Sequence, residues 1–230
     1  MSPQSMGVVI TTYNSPLWLS KVLTGYECQS FKSFRVIIAD DGSNEETRQL
    51  IDSFKARGIL KIDHVWHEDD GFRKCQILNN AIQETDCDYL IFTDGDCIPE
   101  PDFVKTHYDL ARPGHFLSGG YIKLTMPVSE KISNEDIRSG EIFKPQWLVA
   151  NGQPKNHKLW KLSPSRCFRN FMNRITPATA SWNGMNSSTW TEDLIAVNGF
   201  NEDMQYGGLD RELGERLWNY GHKSLQIRYS

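Results

Sequence analysis

Two aspartates, Asp94 and Asp96, close the run FTDGDC at 92–97. They end an apolar stretch, DYLIFTD (88–94), that reads as a strand, and a spacing of two puts side chains on one side of an extended chain. Carboxylates so placed can hold a divalent cation. Hard oxygen donors select Mg²⁺ or Mn²⁺ over zinc, and such ions keep few protein ligands because phosphate and water fill the remaining positions. The bland alternative is a polar turn after a buried strand, and a lone DxD does not separate the two. Other groups suited to chemistry are Thr11-Thr12-Tyr13, Asp40-Asp41-Gly42, Glu68-Asp69-Asp70-Gly71 with Arg73 just beyond, WNGMNSS (182–188), and Asp210 in YGGLDRELGERL (206–217).

The elements that must position these groups alternate. GVVITTY (7–13), RVIIAD (35–40), KIDHVWH (61–67) and DYLIFTD (88–94) are β-rich and are separated by three amphipathic stretches. That pattern predicts an α/β fold with a mostly parallel, Rossmann-like sheet and crossover helices. Asn14-Ser15-Pro16 opens the first helix, Ser43-Asn44 with Glu45-Glu46 opens the second, and the third is expected near Phe72. Ligands of open parallel sheets gather beyond the carboxyl ends of the strands, where the first four clusters fall together. Beyond residue 115 the alternation loosens into HFLSGGYIKL, a helical NEDIRSGEI, a Pro- and Gly-punctuated middle, and a terminal helix from Leu209 to Tyr220. The expected division is one domain over 1–230, with a nucleotide-binding half at 1–100 and an acceptor-binding half at 101–230.

At 230 residues and 39% hydrophobic content, the chain can bury a full core. A formal charge of -4 gives no overall attraction to nucleic acid, so an anionic ligand must meet a local basic site. No apolar run is long enough to span a membrane, and the opening MSPQSMGVVITTY lacks the order of a signal peptide. Cys28, Cys75, Cys87, Cys97 and Cys167 form no CxxC pair, which fits a reducing cytoplasm better than a disulfide framework. From Ile142 to Thr191 there is no Asp or Glu, while Lys144, Lys155, Lys158, Lys161, Arg166, Arg169 and Arg174 interleave with Trp147, Trp160, Phe168 and Phe171. Three readings stay open for it: an acceptor loop, a peripheral surface against the inner face of the cytoplasmic membrane, or a solvated face.

The order TTYNSP (11–16), ADDGSNEET (39–47), DDGFRKCQILNNAI (69–82), FTDGDCIP (92–99), WNGMNSS (182–188) and NGFNEDMQYGGLDRELGERL (198–217) resembles glycosyltransferase family 2 over nearly the entire chain. DDGFRKCQILNNAI and GGLDRELGERL look most like its bacterial chondroitin-synthase and galactosyltransferase-like branch. The resemblance implies a GT-A fold and an inverting transfer of sugar from a nucleotide diphosphate, UDP above all, to a saccharide or lipid-linked saccharide in cell-surface polysaccharide synthesis. By position in the motifs, Thr12 and Tyr13 would meet the base, Asp41 or else Asp40 its imide, Arg73 the diphosphate, Asp94 the ribose or metal, and Asp96 the Mn²⁺ or Mg²⁺ directly. Gly184 would lie beneath the donor sugar, with Asn183 and Asn186 as hydrogen-bonding neighbours. Trp182, Tyr206 and Leu209 would face the acceptor, and Asp210 would be the base. Each position has its plain alternative: a strand end for Tyr13, a helix cap for Asp41, a surface arginine, a core tryptophan, a helix-start aspartate.

Leu209 departs from the pattern, which often has Glu before the base, and leaves Glu212 as a substitute. Related enzymes often carry a further metal-binding histidine shortly after the strand that here reads KSLQIRYS, where the sequence stops at Ser230. A strand followed by DxD also opens haloacid-dehalogenase phosphatases, but Cys97-Ile98-Pro99 does not match their continuation. A non-catalytic sugar-nucleotide or glycan-binding module of the same fold is the competing reading.

Overall fold

The computed structural model describes residues 2–176 and 180–229; within the basic stretch, residues 177–179 lie outside the described residues, as do Met1 and Ser230. Its seven strands are β1 (Met6–Thr12), β2 (Arg35–Asp40), β3 (Ile62–Trp66), β4 (Tyr89–Asp94), β5 (His115–Gly119), β6 (Ser187–Trp190) and β7 (Lys223–Ile227). They form one sheet in the order β3-β2-β1-β4-β6-β5-β7. The β1, β2, β3 and β4 pairings are parallel, β6 runs antiparallel to both β4 and β5, and β7 is parallel to β5. The expected mostly parallel α/β sheet is therefore present, and it extends through both halves of the sequence.

Strands buried on both faces read as continuous apolar runs because every residue meets a core. Val9, Ile37, Leu90 and Phe92 point into one core with α3 (Lys74–Glu84), α9 (Thr191–Ala196) and α10 (Leu209–Asn219). Val8, Ile10, Val36, Ile38, Tyr89 and Ile91 point into the other, with α1 (Pro16–Glu27), α2 (Glu45–Arg57) and α4 (Phe103–Leu110). Truncating a fully buried aromatic such as Phe92 to Ala would cost about 3–5 kcal/mol. The α2 N-cap is Asn44, whose side chain accepts from Thr47 N at 3.3 Å.

Two expected boundaries move. Helix α3 starts at Lys74 because the Arg73 N–H is drawn to Asp41 Oδ2 at 3.1 Å, which holds Arg73 at φ -128 and ψ 38, outside the helix. The helical reading of NEDIRSGEI breaks at Gly140, whose φ of 74 is left-handed. It divides α6 (Asn134–Arg138), preceded by α5 (Met126–Lys131), from a short 3₁₀ turn, Glu141–Phe143. The rest of the middle region is α7 (Pro145–Ala150), a second 3₁₀ segment (His157–Leu162) and α8 (Arg166–Ile175). These pack as small clusters around Val128, Leu148 and Leu159 and around Ile132, Ile137 and Ile142. None of the α8 side chains is buried; its Arg169 is tied to Glu100 at 3.1 Å.

Candidate active site

Asp94 is the last residue of β4 and sits in register with Thr11 of β1. Its Oδ1 accepts from Thr11 Oγ1 at 2.9 Å and from Lys74 Nζ at 2.6 Å. The chain then turns: Gly95 N donates to Thr11 O at 2.8 Å, and a Cβ at residue 95 would stand 2.7 Å from that oxygen. The turn leaves Asp96 exposed beside Asp94. Ligand atoms of Asp94, Asp96 and Cys97 all lie within 4.8 Å of one another. Burial, then the charges of Asp96 and Asp94, push the Cys97 thiol up, so it stays protonated and donates weakly to Asp96 Oδ1 at 3.4 Å. The donor set is thus carboxylate oxygen, which fits Mg²⁺ or Mn²⁺. Lys74 already occupies Asp94 Oδ1, whereas Asp96 is exposed and accepts only the weak Cys97 contact.

Asp210 stands in the first turn of α10, reached through Gly207 and Gly208, with φ of 75 and 76. Both values lie where side chains other than glycine are strained. A Cβ on Gly184 would come 2.9 Å from Asp210 Oδ1, so WNGMNSS passes directly against the carboxylate and only glycine leaves it its place. Asp210 Oδ1 is buried without a hydrogen-bond partner among the described residues. Burial raises the Asp210 pKa; the nearby Gly184 backbone N–H and the Lys74 charge oppose that rise, and the Asp94 charge adds to it. Lys74 answers to both carboxylates: burial works against its charge, but Asp94 and then Asp210 outweigh burial and raise it. One lysine therefore couples the DxD turn to the second-half aspartate.

Along the β1 and β2 exits, the Tyr13 ring is half exposed and its hydroxyl donates to Asp69 Oδ2 at 2.9 Å. Thr12 is buried, and its Oγ1 has no partner among the described residues. Asp41 is held by His67 Nε2 at 2.7 Å and the Arg73 N–H, and Asp40 by His64 Nε2 at 2.9 Å and the Ser43 N–H at 2.8 Å. Asp40 is fully enclosed, which leaves Asp41, at 7% exposure, as the one nearer a ligand. The Arg73 guanidinium reaches Glu68 O at 2.6 Å and Asp70 at 3.6 Å, so it lies on the same rim but is engaged by its own loop.

Several expected ligand contacts fall elsewhere. Trp182, 2% exposed, is core: its ring packs against Phe92, Phe116 and Phe200 and presents no face to an acceptor. Leu209 is buried with Leu213 and Leu217, because the first turn of α10 points its apolar residue inward. Asn183 and Asn186 are spent on structure, Asn183 Oδ1 accepting from Asn186 N and Asn186 Nδ2 donating to Gly120 O. Glu212 is clamped by Arg216 at 2.6 Å and does not replace the missing Glu. Tyr206 is 78% exposed and stacks one face on Phe72 at 4.2 Å, leaving the other open.

Lys74, Phe72 and the His64 and His67 pairings were not drawn from the sequence. A signal for Lys74 existed: a cation in the first turn of a helix opposes the helix dipole, and that placement needs a compensating anion. A spacing of three puts His64 and His67 on opposite faces of a continuous strand, but β3 ends at Trp66, and beyond it His67 turns toward Asp41.

The parallel sheet thus carries an acidic, cation-competent turn at the exit of β4 and a half-buried carboxylate across from it. Residues 7–177 match the family described as Glycosyl transferase family 2, and the chain belongs to that family. Validoxylamine A glucosyltransferase of Streptomyces hygroscopicus subsp. jinggangensis is 27% identical over 222 residues, covering 94% of this chain and 52% of that protein. Escherichia coli chondroitin synthase is 24% identical, covering 94% of this chain and 32% of its own length. The chain thus spans about half, or less, of these relatives. Among solved structures, mannosyltransferase PcManGT from Pyrobaculum calidifontis, in complex with GDP-Man and Mn²⁺, aligns with a TM-score of 0.64 at 16% identity over 99% of this chain and 55% of that one. Staphylococcus aureus TarS 1-349 with UDP-GlcNAc aligns at 0.63 and 16%, over 97% and 56%. These two show the GT-A fold.

Proposed function

We propose that the protein is a glycosyltransferase that moves a sugar from a nucleotide-diphosphate donor, UDP-linked, to a hydroxyl of a saccharide or lipid-linked saccharide, with inversion. The observation that carries this is the half-buried Asp210 carboxylate, its Oδ1 without a hydrogen-bond partner among the described residues, coupled through Lys74 to the Asp94 and Asp96 turn. Asp210 Oδ1 takes the proton of the attacking hydroxyl; its raised pKa makes it a better proton acceptor than an exposed aspartate. Gly184 lets the sugar and the base share one small space. Tyr13 offers its half-exposed ring to the base, Thr12 its hydroxyl and Asp41 a spare lone pair to the donor, and Tyr206 its open face to the acceptor. Asp96, with Asp94 beside it, would hold Mn²⁺ or Mg²⁺, which when bound stabilises negative charge on the departing diphosphate. Lys74 holds Asp94 in place.

The names of the neighbours support the donor class, since TarS is described with UDP-GlcNAc and PcManGT with GDP-Man and Mn²⁺. The test is a thermal-shift and hydrolysis screen of nucleotide sugars with Mn²⁺. A UDP-sugar that raises the melting temperature and releases UDP only with the ion present is the expected result. Metal-dependent binding with no hydrolysis and no transfer to any saccharide would favour a binding module instead.

A further inference from the structure

A cavity of about 570 Å³ opens beside Asp96, lined by residues of α1 and of the middle region of the chain. Ligand sites for small molecules commonly have volumes of about 300–1,000 Å³. Its wall is mainly apolar, with Trp18, Ile122, Leu124, Phe143, Leu148 and Leu162 among the residues that line it. A sugar nucleotide does not need such a wall.

The polar groups in that wall are unbalanced. Lys21, Lys123, Lys161 and Arg228 line it against Asp96 and Glu100. Glu100 is already bonded to Arg169, and Lys21 is spent on the Ser129 and Glu130 carbonyls. The Lys161 ammonium and the Arg228 backbone both close on Gly120: a Cβ there would stand 3.1 Å from Lys161 Nζ and 3.1 Å from Arg228 Cα. Lys161 Nζ donates to Tyr121 O at 2.8 Å. Among the described residues no carboxylate pairs with either cation. Burial first, and then the charges of Arg228 and Lys158, lower the Lys161 pKa. Two cations without a carboxylate partner among the described residues, in the wall of a mainly apolar cavity, suit a ligand with an anionic group and an apolar body.

Building on the glycosyltransferase reading, we propose that this cavity is the acceptor site and takes an amphiphilic acceptor, its phosphate or diphosphate bound by Lys161 and Arg228 and its apolar carrier lying along Ile122, Leu124 and Leu162. The sugar end of such a molecule then emerges beside Asp96 and the 184–186 segment, since Met185 and Asn186 also line the cavity while Gly184 abuts Asp210.

Calorimetric titration of the whole chain in EDTA, which keeps the probe off the ion site, tests the binding claim. Decyl phosphate below its micellar concentration is expected to bind, inorganic phosphate and decyl maltoside far more weakly. Lys161→Gln and Arg228→Gln should each weaken decyl phosphate by about ten-fold, the loss of one charge-assisted hydrogen bond. Leu162→Asn should weaken it while leaving both cations in place. Equal affinity of the Lys161→Gln/Arg228→Gln double variant, or equal binding of decyl maltoside, overturns the site. Its role is read separately with a decyl-diphosphate-linked sugar and the UDP-sugar that is hydrolysed: a glycosylated product supports the acceptor assignment, whereas inhibition without product overturns it. UDP-sugar hydrolysis without acceptor, retained in the double variant, shows the glycosyltransferase reading standing independently of this cavity; its absence from wild type as well would mean that reading has failed instead.

Discussion

At the scale of single residues, the site is a set of charges whose costs are unequal. Asp210 has its pKa raised by burial, so its ionised form is disfavoured in the fold. The sign follows by linkage: a carboxylate with a folded pKa above its unfolded value adds stability below the unfolded pKa and loses that contribution as pH rises through the folded pKa. At neutral pH the ionised Asp210 therefore weighs against the fold, and Asp210→Asn should melt at the same temperature as wild type or higher while losing turnover, as differential scanning fluorimetry beside a UDP-release assay would register. Lys74 acts in the other direction, since its charge lowers the Asp210 pKa. In Lys74→Met the acidic limb of the pH profile of kcat/KM, which reports the base of the free enzyme, should move to higher pH. An unmoved limb would remove Lys74 from the base's surroundings. The sequence exposed both aspartates of the turn and Asp210 because motif order marks them. It hid Lys74, whose role depends on α3 starting at that residue and aiming it at β4.

At the scale of elements, the first half was legible because β1, β2 and β4 are buried on both faces and their apolar runs leave no other reading. Strand β6 was not. Ser187, Ser188 and Thr189 are small and polar, and such clusters read as loop. The burial of Ser188 rests on partners distant in sequence, its Oγ meeting Tyr89 Oη at 2.8 Å and His107 Nδ1 at 2.7 Å, while Ser187 Oγ accepts from the nearby Asn183 N. His107, fully enclosed there, is lowered to about 4 by burial and stays neutral as a hydrogen-bonding hub. The same long-range pairing places Gly184 against α10. Adding a methyl there forces the Asp210 carboxylate aside, so Gly184→Ala should lower kcat by about ten-fold or more, the scale of effect small misplacements have, with UDP affinity little changed. Single-turnover kinetics beside UDP titration would separate the two. An unaffected kcat would mean the base tolerates the shift.

At the scale of the whole molecule, the sheet order brings the exit of β4 and the start of α10 to one rim although 114 residues separate Asp96 from Asp210. Family order in the sequence predicted that meeting; periodicity alone did not, since the chain from 120 to 176 folds into short helices that break the strand–helix alternation. It also could not reveal that Trp182 and Leu209 serve the core, because a residue next to a ligand motif carries no mark of which way it faces. Among the described residues, no helix is long and apolar enough to cross a membrane. The central claim is a division of labour across the rim, with Asp96 binding the ion and through it the donor, and Asp210 acting on the acceptor alone. Calorimetric titration of UDP with Mn²⁺ into wild type, Asp96→Ala and Asp210→Asn tests it most directly. The account predicts donor affinity lost by about ten-fold or more in Asp96→Ala and unchanged in Asp210→Asn, with turnover lost in both. Full Mn²⁺-dependent affinity in Asp96→Ala would contradict it.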